Sequence, residues 1–150
     1  MKQIASFSVD HDKIREGMYI SRIDGDITSF DLRTRVPNAG SYMDNVTMHS
    51  VEHMLATLLR NGSIGEHVIY FGPMGCRTGF YLLTRDLAPD TVRAALQAAL
   101  EQTLAHEGEV FGATRKECGN YLELDIEAAK RECAAYLNVL KQHKGDYSYE

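Results

Sequence analysis

The spacing of apolar and polar positions changes several times along the chain, and each change predicts a different element. Residues 18–23 and 27–32 alternate in character about Asp24-Gly25, a dipeptide that tolerates the positive φ of a tight turn, so they predict a β-hairpin. Residues 36–42 include Pro37, Asn38, Ala39 and Gly40, a loop composition. After them Asp44 or Asn45 can cap a helix over about 47–60. At about 100° per residue, His49, Glu52, His53, Ala56 and Arg60 share one side of that helix, and Val51, Leu55, Leu58 and Leu59 fall opposite. One side is core and the other is chemically equipped.

Gly62, Ser63 and Gly65 stop this helix. The apolar run 68–71 reads as a buried strand, residues 72–75 as a turn and residues 78–84 as a second strand, so Cys76 falls at a tight connection. Pro89 suits a helix start, followed by a packed face of Val92, Ala95, Leu96, Ala99, Thr103 and Leu104. Asp125 can cap a last helix over about 126–142, with Ala129, Cys133, Tyr136, Leu137 and Leu140 as its inward stripe. The order of elements predicts an α+β fold, an antiparallel sheet covered on one side by helices. With 150 residues, dispersed prolines and no repeat, residues 1–150 are expected to form a single domain.

Composition narrows the function. Hydrophobic residues are 44% and charged residues 25%, ordinary for a globular domain. The net charge is −5 with scattered Lys and Arg, which argues against nucleic acid as a partner. No stretch is apolar enough for a signal peptide or a membrane span, and three widely spaced cysteines suit a reducing compartment, so a cytoplasmic location is expected. No glycine-rich phosphate loop of the dinucleotide or P-loop type occurs, which disfavours redox nucleotides and ATP as cofactors.

The sharpest chemical signal is His49-Ser-Val-Glu52-His53, two imidazoles four residues apart that can grip one ion from a single helix face. A catalytic ion needs a third protein ligand; the candidates are Cys118, Cys76 and the carboxylates of Glu117 and Glu123. Two histidines with a thiolate suit Zn(II), Fe(II) or Co(II) and disfavour Mg(II) or Ca(II). Cys76, between Gly75 and Gly79 and next to Arg77, is placed to act as an acid or base. The same H-x-x-E-H order occurs in one class of metallopeptidases, and a non-catalytic metal sensor would need only the ligands.

Residues 6–11 (Ser-Phe-Ser-Val-Asp-His), Phe30-Asp-Leu-Arg33, Pro37-Asn38, the histidine motif, residues 72–79 (Gly-Pro-Met-Gly-Cys-Arg-Thr-Gly) and Glu117-Cys-Gly-Asn120 occur in this order. Together, over about residues 4–140, they resemble the S-ribosylhomocysteine lyase family. The resemblance implies metal ligands His49, His53 and Cys118, an acid and base in Glu52 and Cys76, and substrate contacts at Ser6, His11, Arg33 and Arg60. It further implies one divalent ion per subunit, Fe(II) in the cell with Zn(II) or Co(II) as alternatives, and a homodimer with two sites at the interface. The implied reaction converts a small molecule, S-ribosylhomocysteine, to homocysteine and 4,5-dihydroxy-2,3-pentanedione, the precursor of autoinducer-2. The product would serve quorum sensing, homocysteine recycling in the activated methyl cycle, or both. Two positions depart from the familiar pattern: Tyr70 stands where many relatives carry aspartate, and residues 33–38 lack an aromatic.

Overall fold

The structure, a computed structural model, describes residues 1–143 and 145–149. A single helical turn, α1 (Ala5–Ser8), precedes the hairpin of β1 (Gly17–Asp24) and β2 (Ile27–Arg33). Then come α2 (Asn45–Arg60), a 3-10 turn (Gly65–His67), β3 (Val68–Pro73), β4 (Gly79–Arg85), α3 (Pro89–Ala105) and α4 (Ile126–Gln142). The four strands form one antiparallel sheet in the order β1-β2-β4-β3. This is the expected α+β arrangement, with α2, α3 and α4 packed together against one face.

Local chemistry explains the boundaries. The hairpin turns at Gly25-Asp26, between the paired residues Asp24 and Ile27, with Gly25 at φ +62°. The Asp44 carboxylate accepts from the Thr47 backbone N–H at 2.8 Å, so α2 starts two residues before the expected position. Asp125 caps α4 in the same manner through the Glu127 N–H. Pro89 stands in the first turn of α3, where its missing N–H costs nothing.

Alternation sends Met18, Phe30, Leu32, Phe80 and Leu82 into the helix-covered face, where they meet Val51, Met54, Leu55, Leu96, Leu100, Cys133 and Leu137. Burying each large side chain here contributes about 1.5–3 kcal/mol, enough to fix which side of α2 turns inward. On β3 the buried-strand expectation fails in part. Val68 and Phe71 are buried, but Ile69 and Tyr70 are exposed, because a bulge between Val68 and Tyr70 breaks the two-residue period. The connection between β3 and β4 also lies later than expected, since β3 continues through Pro73 and the turn occupies residues 74–78.

The other face of the sheet carries Tyr19, Asp31 and Arg33, neighbours across β1 and β2. The C-terminal tail lies along the free edge of β1: the Tyr147 carbonyl accepts from the Ile20 N–H at 2.7 Å. Two residues on, Tyr149 stacks on Tyr19 with ring centroids 4.9 Å apart. Tyr147 points to the helix side, edge-on to Phe30, with its hydroxyl donating to Asp90 at 2.5 Å. No helix among the described residues is long and apolar enough to cross a membrane.

Candidate active site and metal centre

The inward stripe of α2 leaves His49, Glu52 and His53 on its partly exposed side. Opposite them runs residues 106–125, a segment without regular helix or strand that carries Cys118. The ligating atoms of His49, His53 and Cys118 all lie within 4.8 Å of one another, and among the described residues this is the group able to hold a metal ion. The Cys118 Sγ is 3.4 Å from His49 Nε2, and the two imidazole rings stand at 89° with centroids 4.6 Å apart.

The donor set fits an ion because the other nitrogen of each ring is already engaged. His49 Nδ1 lies 3.0 Å from the Glu123 carbonyl oxygen, and His53 Nδ1 lies 2.8 Å from that of Phe111. A carbonyl can only accept, so each Nδ1 must carry the proton and each Nε2 keeps its lone pair for a metal. Gly112, at φ +70°, makes the second contact possible, since a Cβ there would lie 3.2 Å from His53 Nδ1.

Geometry also decides among the third-ligand candidates. Glu117 turns back to the Thr114 hydroxyl at 2.7 Å. Glu123 offers its backbone carbonyl to His49 while its carboxylate holds the Asn120 side chain. Cys76 is exposed on the turn between β3 and β4, outside the ligand group. The carboxylate set a metallopeptidase would use is therefore not assembled. A cleft of about 330 Å³ opens beside Cys118, lined by Arg115, Gly119, Asn120, Tyr121 and Leu122.

Around Cys76 a different chemistry gathers. Its Sγ is 3.0 Å from the Thr78 hydroxyl and 4.0 Å from Arg33 Nη1, the same nitrogen that donates to Thr78 Oγ1 at 2.8 Å. Arg33 and Asp31 are almost wholly withdrawn from solvent, with side chains 3% and 2% exposed. Two parallel bonds of 3.0 and 2.6 Å join them. Burial disfavours the guanidinium's charge, yet hydrogen bonding to Asp31 and its negative charge outweigh this and raise the Arg33 pKa. Arg33 thus presents only its Nη1 corner to the turn.

The remaining expected contacts are dispersed. Ser6 is exposed on α1, and His11 is partly buried with Nδ1 2.9 Å from the Val9 carbonyl. Arg60, at the exposed end of α2, donates to the Ile69 carbonyl at 3.1 Å. Tyr70, itself 49% exposed, lays the hydroxyl end of its ring over Gly72. Sequence reasoning missed two further features: the ion pair of Arg35 with Glu132, which is 6% exposed, and the tail tyrosines. The alternation Tyr147-Ser148-Tyr149 was the signal for the tail, a short strand-like pattern at the chain end.

The family model of S-ribosylhomocysteinase (LuxS) matches residues 4–146. A protein of Borreliella afzelii named S-ribosylhomocysteine lyase is 41% identical, with 96% of each chain covered. Those of the same name from Phocaeicola vulgatus and Finegoldia magna are each 42% identical, covering 95% and 96% of this chain and 92% and 95% of their own. At such identity over almost its whole length, the chain belongs to the S-ribosylhomocysteine lyase family.

Proposed function

We propose that this chain, as a single domain spanning residues 1–150, is a carbon–sulfur lyase that cleaves S-ribosylhomocysteine to homocysteine and 4,5-dihydroxy-2,3-pentanedione. The observation that carries the reading is the ligand group itself, two Nε2 atoms and one thiol brought together with both Nδ1 atoms already spoken for. His49, His53 and Cys118 would hold one divalent ion, Fe(II) in the cell and Zn(II) or Co(II) as alternatives, and when bound it would supply Lewis acidity to the substrate's oxygens.

The chain's own groups would do the proton work. The opened sugar is an aldose; taking a proton from C2 and returning one to C1 moves the carbonyl to C2. A second such exchange, from C3 to C2, moves it to C3. With the ketone at C3, the C5–S bond lies β to a carbonyl, so removal of the C4 proton expels homocysteine as thiolate. Cys76 Sγ and the Glu52 carboxylate are the groups assigned to these transfers. The Thr78 hydroxyl at 3.0 Å and the Arg33 Nη1 corner at 4.0 Å hold the Cys76 sulfur in a polar setting suited to exchanging protons.

Ser6, His11, Arg33 and Arg60 are assigned to the substrate, and these positions make sense in a homodimer. Ile4 and Phe7 flank Ser6 and are 56% and 70% exposed, and Leu122, near Cys118, is 81% exposed. Pairing two chains through these segments would cover apolar surface and bring the N-terminal contacts of one chain to the metal centre of the other. The reaction is cytoplasmic in this reading, and its products serve signalling, homocysteine recycling in the activated methyl cycle, or both.

The test is thiol release from S-ribosylhomocysteine by anaerobically purified protein, with a chelated control and add-back of Fe(II), Co(II) or Zn(II). Cys76→Ala and Glu52→Gln should each stop release while leaving metal bound. Absence of release from a folded, metal-loaded dimer would refute the assignment. Wild-type metal affinity in Cys118→Ala would refute the ligand set.

A further inference from the structure

The buried Asp31–Arg33 pair does not end at Arg33. Asp31 Oδ2 accepts from Arg33 Nη2 at 2.6 Å and also from the Tyr149 hydroxyl at 2.8 Å. A continuous chain of polar contacts therefore runs from the C-terminal tail to the turn between β3 and β4: Tyr149 Oη, Asp31, Arg33, then Thr78 Oγ1 and Cys76 Sγ. Stacking on Tyr19 holds the tyrosine ring in place. The same ring borders an open cleft of about 340 Å³ whose other walls are Ser8, Val9, Asp10, Lys13 and Ile14, in the segment that carries His11.

The geometry points to Tyr149 as a positioning residue for the reaction: by sharing the Asp31 carboxylate, the tail holds the Arg33 guanidinium where its Nη1 corner supports the Cys76 thiolate. This inference rests on the catalytic role assigned above to Cys76. Asp31 is buried and needs its lone pairs satisfied. With Tyr149 supplying one donor, Arg33 need not pivot to supply more, and Nη1 stays free for Thr78 and the sulfur. Without the hydroxyl, Asp31 draws the guanidinium toward itself and the thiolate loses cationic support. Burial first, and the Asp31 charge second, push the Tyr149 phenol well above its ordinary range, so it remains a donor at working pH.

Among the described residues, Arg33 is the cation with a contact to the thiol. Arg33 faces it from β2 with Asp31 behind. Arg77, next in the turn, is directed away, its Nη1 3.3 Å from the Met43 carbonyl and its guanidinium 6.0 Å from the centre of the Tyr42 ring. Arg33 is accordingly the cation through which a distant substitution can reach the sulfur.

Tyr149→Phe removes the hydroxyl and keeps the stacked ring. In full-length, metal-loaded protein, iodoacetamide alkylation of Cys76 should be followed by peptide mass spectrometry at pH 7 and pH 9. Buried Cys133, whose thiol burial pushes up to about 12, provides an unreactive reference. The expected result is alkylation about threefold to tenfold slower at pH 7 and equal to wild type at pH 9. In the thiol-release assay kcat should fall by a similar factor. An unchanged rate at pH 7 overturns the inference, and so does equal slowing at both pH values, which would report altered access. Full activity of Cys76→Ala would sink the catalytic assignment instead, a result the alkylation comparison does not share.

Discussion

Replacing Gly112 with alanine should weaken metal binding and fold stability by separable mechanisms. At φ +70° an L side chain pays about 1–2 kcal/mol, of which stiffening the unfolded chain returns roughly 0.4–1 kcal/mol. The net cost is about 1 kcal/mol, a fall in melting temperature of about 2–4 °C for a chain of this size. The added Cβ would also stand 3.2 Å from His53 Nδ1, closer than ordinary van der Waals contact. The ring must then shift against the Phe111 carbonyl that fixes its tautomer. Losing such an outer contact typically lowers metal affinity by about tenfold or more. Gly25→Ala is the matched control: φ is +62° and nothing lies within 4 Å of the new Cβ, so it carries the backbone cost alone. Thermal unfolding and competition with a chromophoric chelator measure the two effects. Equal metal affinity in the two variants would refute the role given to the Phe111 carbonyl.

Two further substitutions probe the frame around the site. Glu132→Ala leaves Arg35 without a partner that contacts it at 2.6 and 2.9 Å; because the Arg35 side chain is 27% exposed and can turn to water, about 2 kcal/mol should be lost. That is a fall of about 4–8 °C in melting temperature, and a change under 1 °C would show the pair to be inert. Burial, and then the charge of Arg93, lower the His143 pKa in the folded state. The unfolded chain therefore binds this proton first: the contribution of His143 is complete above the ordinary value near 6.5 and fades as the pH falls through the lower folded value. Urea unfolding at pH 7.5 and 5.5 should show a smaller loss on acidification in His143→Gln than in wild type; identical losses would contradict this.

How much was legible in the sequence depended on the kind of signal. The ends of α4 could be read because Asp125 caps it and five apolar residues keep helical spacing. The pair His49 and His53 could be read because a four-residue interval in a helix places side chains together. Choosing Cys118 over Cys76, Glu117 and Glu123 from spacing alone was not possible, since the loop between α3 and α4 has no period from which to place a side chain. The carbonyls that orient the histidines were invisible for a deeper reason: they are backbone groups, the same in every residue. The bulge that exposes Ile69 and Tyr70 lies inside an apolar run, where composition gives no hint of a slipped register. Arg33, which the resemblance implies as a substrate contact, is buried, because the aspartate that neutralises it stands two residues away on the same strand face.

The loop that carries Cys118 depends on α2 for its shape. Its carbonyls at Phe111 and Glu123 are tied to two imidazoles of that helix, and its thiol shares their ligand group. An ion seated there would cross-link segments about 65 residues apart in the chain, much as a disulfide does, and by a reversible bond. Metal supply would then set the order of this segment as well as catalytic competence, and amide exchange confined to residues 106–124 would report occupancy without any substrate.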